Sequence, residues 1–172
     1  KGIFVDQKSD WKTEIKKALY PDEPKPLTLD ELLTFTETST DKSLLKNQIS
    51  RIRENLKAPK TQLMTFSERH QAINEGRIVD VATDLCRAMK NATRQEQIKK
   101  SGKGEGFYPY DIQLLALLEF MHAGKENKGL VAQIETGEGK SWVTRLVVGT
   151  LASRGQYVNV VTSKADLAQR DA

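Results

Sequence analysis

The sequence predicts an α/β fold in which a helical N-terminal region is followed by the opening unit of a parallel sheet. Two observations predict it. Apolar residues recur at helical spacing through much of the first 100 residues. Further along, two short apolar runs, GLVAQIE (129–135) and QYVNVVTS (156–163), flank a glycine-rich turn and an apolar helix. The order strand, turn, helix, strand is typical of a βαβ unit.

The N-terminal region is predicted to hold several short to medium helices. Ser9 and Asp10 can cap a helix over 11–20, which the proline-rich segment 21–26 ends. Thr28 precedes the apolar pattern LDELLTF, and Thr40 precedes a longer amphipathic segment that ends near residue 57. Ser67 can cap a helix over 68–76.

A longer helix is predicted from about Arg77 to Gln95, with the single cysteine, Cys86, on its apolar stripe. We therefore interpret Cys86 as a core thiol, and a lone cysteine favours a reducing compartment. The stripe is expected to pack against the earlier helices through a set of aliphatic residues. These are Leu44, Ile49, Ile52, Val79 and Leu85.

Composition changes at residues 101–106, where three glycines stand within five residues, Gly102 to Gly106. We divide the chain there into a helical region (1–100), a linker (101–106) and a second unit (107–172). Phosphate binding by this glycine cluster is the alternative, but no apolar run precedes it, so a solvated linker is favoured. The formal charge of +4, from 27 basic and 23 acidic residues, forms no basic block. This charge permits an acidic membrane surface or a nucleic acid as partner but argues for neither.

Beyond the linker, a helix opened by Pro109 is predicted to end near Gly124, and another is predicted from about Gly139 to Ser153, closed by Gly155. Ser163 can cap a final helix. The glycine turn, ETGEGKS (135–141), lies between the helix that ends near Gly124 and the helix that begins near Gly139. It follows the first predicted strand and precedes a helix.

The glycine turn has the residues that a phosphate site needs. Gly137 and Gly139 can turn backbone N–H groups inward at a helix N-terminus, which makes a nest for an anion. Lys140 supplies positive charge for the β and γ phosphates of a nucleotide, and the Ser141 hydroxyl is the expected Mg²⁺ ligand. The alternative is an ordinary helix start with Thr136 and Ser141 as caps.

Three stretches resemble SecA, the family of protein-translocation ATPases related to superfamily 2 helicases. GFYPYDIQLL (106–115) is similar to the family's G-M-R-x-F-x-V-Q-L-L segment. AQIETGEGKS (132–141) resembles A-E-M-x-T-G-E-G-K-T, which also lacks the first glycine of the general P-loop pattern. VVTSKADLAQRDA (160–172) resembles V-V-T-V-N-D-Y-L-A-x-R-D-A. The resemblance implies a RecA-like nucleotide-binding lobe, which this chain would begin without completing.

The resemblance also implies site residues and cofactors, namely ATP and Mg²⁺. Gln113 would bond the adenine edge and Phe107 would pack on the base. Lys140 would take the γ-phosphate and Ser141 the Mg²⁺. The residues that would wrap the phosphates are Thr136, Gly137, Glu138 and Gly139. Ordinary structural roles remain open for two of these residues, since Gln113 can be a surface polar residue and Phe107 a core aromatic.

Two departures from the family pattern affect the predicted activity. Gln113 and Lys140 are 27 positions apart, several more than in SecA, and the extra length falls in HAGKENKG (122–129). No apolar strand ending in Asp-Glu, the Walker B element, follows within the 172 residues. We therefore assign no catalytic residue in this chain and expect it to bind ATP without hydrolysing it.

The leading functional hypothesis is a part of a SecA-like motor that couples ATP hydrolysis to protein translocation. Its partners would be an adenine nucleotide, an unfolded preprotein and a membrane translocation channel, and its location the cytoplasm with peripheral contact at a membrane. The main alternative is a non-catalytic helical interaction module whose nucleotide lobe is vestigial or regulatory. A nucleic-acid helicase fragment is disfavoured, because LAQRDA stands where DEAD-box helicases carry P-T-R-E-L-A-x-Q.

Overall fold

The computed structural model describes residues 27–36, 38, 40–59, 62–125 and 139–161, which form six helices. The helices are α1 Leu29–Phe35, α2 Lys42–Lys57, α3 Phe66–Asn74, α4 Ile78–Ser101, α5 Asp111–Lys125 and α6 Lys140–Ser153. The long helix α4 packs against α2, α3 and α6, and α5 packs against α2 and α6. None of these helices combines the length and apolar character needed to cross a bilayer.

The predicted α/β fold with a βαβ unit is wrong for the part of the chain that the structure describes, where every regular element is helical. Residues 156–161, most of the predicted second strand, follow α6 without strand pairing. Tyr157 and Val161 are 103% and 92% exposed. A strand needs a neighbour that exchanges backbone hydrogen bonds with it, and the N–H of Gln156 instead bonds back to the carbonyl of Leu151 in α6.

Three other predicted elements lie outside the described residues. They are the first predicted strand (129–135), the N-terminal helix over 11–20 and the final helix after Ser163.

Helix starts follow the capping chemistry, with small shifts from the sequence prediction. Thr28 caps α1 in a capping box with Glu31, as predicted from its position. For α2 the cap is Asp41 and not Thr40, because the Asp41 carboxylate accepts the N–H of Ser43 at 2.7 Å. For α3 the cap is Thr65 and not Ser67, since Glu68 lies three residues after Thr65 and completes a second capping box.

The apolar core lies between α4 and its neighbours and includes residues from α5 and α6. Cys86 is fully buried as predicted, and burial raises the pKa of its thiol to about 12. Four of the five aliphatic residues predicted to pack there are buried, but Leu44 is 43% exposed and its neighbour Leu45 is buried in its place. The fully buried apolar side chains are Leu45, Ile49, Ile52, Ala72, Val81, Ala82, Cys86, Leu114, Leu117, Leu118 and Met121.

Buried and half-buried polar contacts fix the helices relative to one another. Arg53 on α2 donates to the Asp111 carboxylate at 2.6 Å and to the Pro109 carbonyl at 2.7 Å, which ties α2 to the start of α5. On α5, burial raises the pKa of the Glu119 carboxyl. That carboxyl accepts hydrogen bonds from the hydroxyls of Thr38 and Thr40 in the α1–α2 connection. These contacts hold the beginning of α5 against α2 and the middle of α5 against the α1–α2 connection.

The segment between α4 and α5 is pressed onto α4 at Gly106. Gly106 has a φ of 69°, its N–H donates to the Gln97 side chain at 3.0 Å, and a Cβ there would collide with the Lys90 carbonyl. Gly102, which ends α4 with a φ of 72°, has open space where its Cβ would lie. Both glycines therefore have left-handed backbone angles, but only Gly102 has space for a side chain.

We expect Gly106→Ala to destabilise the fold more than Gly102→Ala, because both introduce left-handed strain of about 1–2 kcal/mol but only the first also adds a backbone clash. Thermal unfolding followed by circular dichroism measures the difference. Equal losses of melting temperature would show that the 103–110 segment moves away from α4 at no cost.

Candidate functional site

The start of α6 carries the part of the glycine turn that the structure describes. Gly139 is the N-cap residue, with a φ of 74°, and it brings no side chain to cap the helix. Lys140, which is exposed, and Ser141, which is half-buried, are the first two residues of α6. Val143 and Leu146 are buried at 4% and 3% exposure and anchor this end of the helix in the protein.

Gln113 lies directly against the glycine turn. Its side chain is 2% exposed, and a Cβ placed on Gly139 would collide with the Gln113 amide nitrogen. The side-chain oxygen of Gln113, Oε1, accepts the backbone N–H of Tyr110 at 3.1 Å, and this bond orients the side-chain amide. Only glycine therefore suits position 139, for its backbone angle and for the close approach of Gln113.

Phe107 lies beside the same end of α6 through its contact with Trp142. The two rings meet edge to face, with centroids 5.2 Å apart and an interplanar angle of 89°. The Phe107 N–H donates to the Thr93 hydroxyl at 3.1 Å, so α4 fixes this residue. The Arg145 guanidinium lies 4.5 Å from the Trp142 ring centroid on the next turn of α6.

Trp142 also lies at this site, although it was not among the residues predicted from the sequence. The signal that could have found it is its position, immediately after Lys140 and Ser141 in the first turn of α6. There its side chain also lies 3.5 Å from the place where a Cβ on Gly139 would be. An aromatic side chain at this point joins the Phe107 side of the site to the glycine turn.

Among the predicted site residues in the described ranges, the structure brings Gln113 and Gly139 into contact. It places Phe107 one side chain away from the turn, and Lys140 and Ser141 follow Gly139 on α6. Thr136, Gly137 and Glu138 lie outside the described residues. The described residues fit a phosphate group, since a helix N-terminus with a glycine cap and an exposed lysine attracts anions. Their binding roles remain predictions.

The sequence of the chain also identifies its protein family. A family model described as the SecA DEAD-like domain matches residues 31–172. The chain belongs to the SecA DEAD-like domain family. The match includes α2–α6, the glycine turn, Phe107 and Gln113, which are the elements that carried the resemblance in sequence.

Curated relatives of this SecA DEAD-like domain chain are named as translocase subunits. It is 31% identical over 120 residues, 64% of the chain, to the protein translocase subunit SecA 2 of Thermobifida fusca. It is 29% identical over 163 residues, 93% of the chain, to the SecA subunit of Prosthecochloris aestuarii. It is 31% identical over 140 residues, 78% of the chain, to that of Nitratiruptor sp.. The matches span only 14–15% of each relative's length. No solved structure matches the chain.

Proposed function

We propose that this chain is the ATP-binding part of a SecA-like motor that couples ATP hydrolysis to protein translocation. Membership of the SecA DEAD-like domain family over residues 31–172 is the observation that carries the proposal. The names of the relatives, protein translocase subunits, support it. The implied partners are an unfolded preprotein and a membrane translocation channel, with a cytoplasmic location and peripheral membrane contact. We expect no nucleic-acid partner.

The proposed nucleotide site is centred on the start of α6. Lys140 would pair with the γ-phosphate and the Ser141 hydroxyl would ligate Mg²⁺, which would neutralise phosphate charge. Gly139, together with Thr136, Gly137 and Glu138, would supply backbone N–H groups around the phosphates. The contact between Gln113 and Gly139 supports a base edge bound next to the phosphates, and the Phe107–Trp142 pair supports an apolar surface for the base.

Replacing Lys140 with alanine is the direct test of this site. Lys140→Ala should weaken Mg·ATP binding by about 10- to 150-fold, because a charge-assisted bond to phosphate contributes about 1.5–3 kcal/mol. Isothermal titration calorimetry on the 172-residue chain measures it. Lys42→Ala is the matched control, since Lys42 is also the exposed first residue of a helix, α2, and should leave the affinity unchanged. If the Lys140→Ala protein bound ATP as tightly as the unaltered chain, the assignment of the glycine turn as a phosphate site would be wrong.

We further propose that the 172-residue chain holds ATP without turning it over. Hydrolysis requires a carboxylate to fix Mg²⁺, a group to orient water and a cation for the developing charge. Lys140 and Ser141 provide only the phosphate and metal contacts, which bind the ground state and the transition state alike. Phosphate release should stay far below about one turnover per second. Turnover at that rate, abolished by Lys140→Ala, would reveal a catalytic carboxylate within this chain.

A helical interaction module is the second candidate function. The observation in its favour is that α1–α4 supply most of the buried apolar side chains in the described ranges. A chain that folds cooperatively but does not bind Mg·ATP in the calorimeter would favour this module over the motor. Binding that depends on Lys140 would favour the motor.

A further inference from the structure

A groove unrelated to the glycine turn runs along the outer face of α4, beside the segment that leads to α5. It has a volume of about 590 Å³. Small-molecule sites occupy roughly 300–1,000 Å³, so its size suits a compact ligand. Its side-chain lining consists of Arg87, Lys90, Asn91, Arg94, Glu105 and Tyr108.

One wall of this groove is α4, and the other is the segment that leads to α5, which packs closely against α4 at Gly104 and Gly106. A Cβ on Gly104 would lie 2.5 Å from the Gln97 Cβ and 3.0 Å from the Arg94 carbonyl, and a Cβ on Gly106 would collide with the Lys90 carbonyl. These approaches are possible only without side chains. The Gly106 N–H also bonds to the Gln97 side chain. The groove is therefore a fixed feature of the α4–α5 connection.

The charge of the groove is positive, with three cations facing one carboxylate, that of Glu105. Among the described residues none of the three cations forms an ion pair. Arg87 donates to the carbonyls of Asn55 and Ala58 at 2.6 and 3.3 Å, and the Lys90 ammonium lies 4.6 Å from the Tyr108 ring centroid. Neutral partners such as these position the charges without cancelling them.

The spacing of the cations suits a ligand with more than one negative charge. Residues 87, 90 and 94 lie on one face of α4 and span roughly 10 Å at 1.5 Å rise per residue. Guanidinium groups bind phosphate oxygens through paired hydrogen bonds. Asn91 and Tyr108 add neutral hydrogen-bond donors at the same surface.

We propose that this groove binds a compact polyanion that carries two or more phosphate groups. Its lining shares no residue with the glycine turn. The site therefore stands independently of the ATP proposal, and each can fail without the other.

Calorimetry with inorganic pyrophosphate on the Lys140→Ala chain tests the groove apart from the glycine turn. Pyrophosphate should bind, and Lys90→Gln combined with Arg94→Gln should weaken that binding by about tenfold or more. Arg51→Gln, which removes an exposed arginine of α2 outside the groove, should have no effect. Arg87 is left intact because it also holds the C-terminal end of α2.

The absence of pyrophosphate binding at millimolar concentration would overturn the proposal, and so would unchanged affinity in the double variant. Citrate bound as tightly as pyrophosphate would overturn the phosphate assignment, because it would indicate a general site for carboxylates and phosphates alike. Amide NMR shifts on pyrophosphate titration into the Lys140→Ala chain provide a second readout if the double variant unfolds. Shifts centred on residues 87–94 and 104–108 support the groove, and shifts confined elsewhere refute it.

Discussion

Asp84→Ala is expected to lower the free energy of unfolding by about 3 kcal/mol. Asp84 is 1% exposed on α4, where its carboxylate accepts from the Arg69 side chain at 2.8 Å and from the Met64 N–H at 2.8 Å. Alanine would remove both acceptors and leave a cation and a backbone donor facing the core. Breaking a buried pair on one side costs roughly 3–5 kcal/mol. We expect the lower end because the Arg69 side chain, at 20% exposure, can still reach water.

Asp80→Ala is the matched control for this prediction. Asp80 lies one turn earlier on α4 and pairs with Arg77 at 3.3 Å, but both side chains are about 40% exposed. Exposed pairs contribute about 0–1 kcal/mol, so this variant should be nearly neutral. Urea unfolding followed by far-ultraviolet circular dichroism compares the two. If Asp84→Ala were as mild as Asp80→Ala, the buried carboxylate would not be what holds α3 and Met64 against α4.

Local signals in the sequence predicted the helices better than the sheet. The cap residue Thr28 and the apolar stripe around Cys86 are signals formed by residues close together in sequence, so the sequence alone is enough to detect them. The apolar run 156–161 carries no comparable local signal, because a β-strand forms only where an adjacent strand exchanges backbone hydrogen bonds with it. In the structure this run lies unpaired after α6, with Val161 exposed.

The candidate site was predictable only in part, for a related reason. The glycine turn can be recognised from Gly139, Lys140 and Ser141 in the sequence alone, and its role in phosphate binding stays a prediction. The contact of Gln113 with Gly139 joins residues 26 positions apart, and no periodicity predicts it; the family resemblance alone pointed to Gln113. The edge-to-face contact of Trp142 with Phe107 and the basic groove on α4 were not predicted, because both depend on how the 103–110 segment packs.

Leu45→Ala should destabilise the protein by about 2–5 kcal/mol, whereas Leu44→Ala should cost well under 1 kcal/mol. The two leucines are adjacent on α2, but Leu45 is 0% exposed and Leu44 is 43% exposed. Truncating a buried leucine loses its transfer free energy and leaves a cavity, and a half-exposed leucine loses little of either. Urea denaturation of both variants measures the difference between them.

The pair of variants tests which face of α2 meets the core. The sequence predicted that Leu44 packs there with Ile49 and Ile52, whereas the structure buries Leu45 and leaves Leu44 43% exposed. Both substitutions remove the same atoms and gain the same helix propensity, so those contributions cancel in the comparison. Leu45 lies one turn before Ile49 and two before Ile52, and all three are fully buried. If Leu44→Ala were the more damaging of the two, α2 would have to face the core with Leu44. Ile49 and Ile52 would then be rotated away from α4, against the packing seen in the structure.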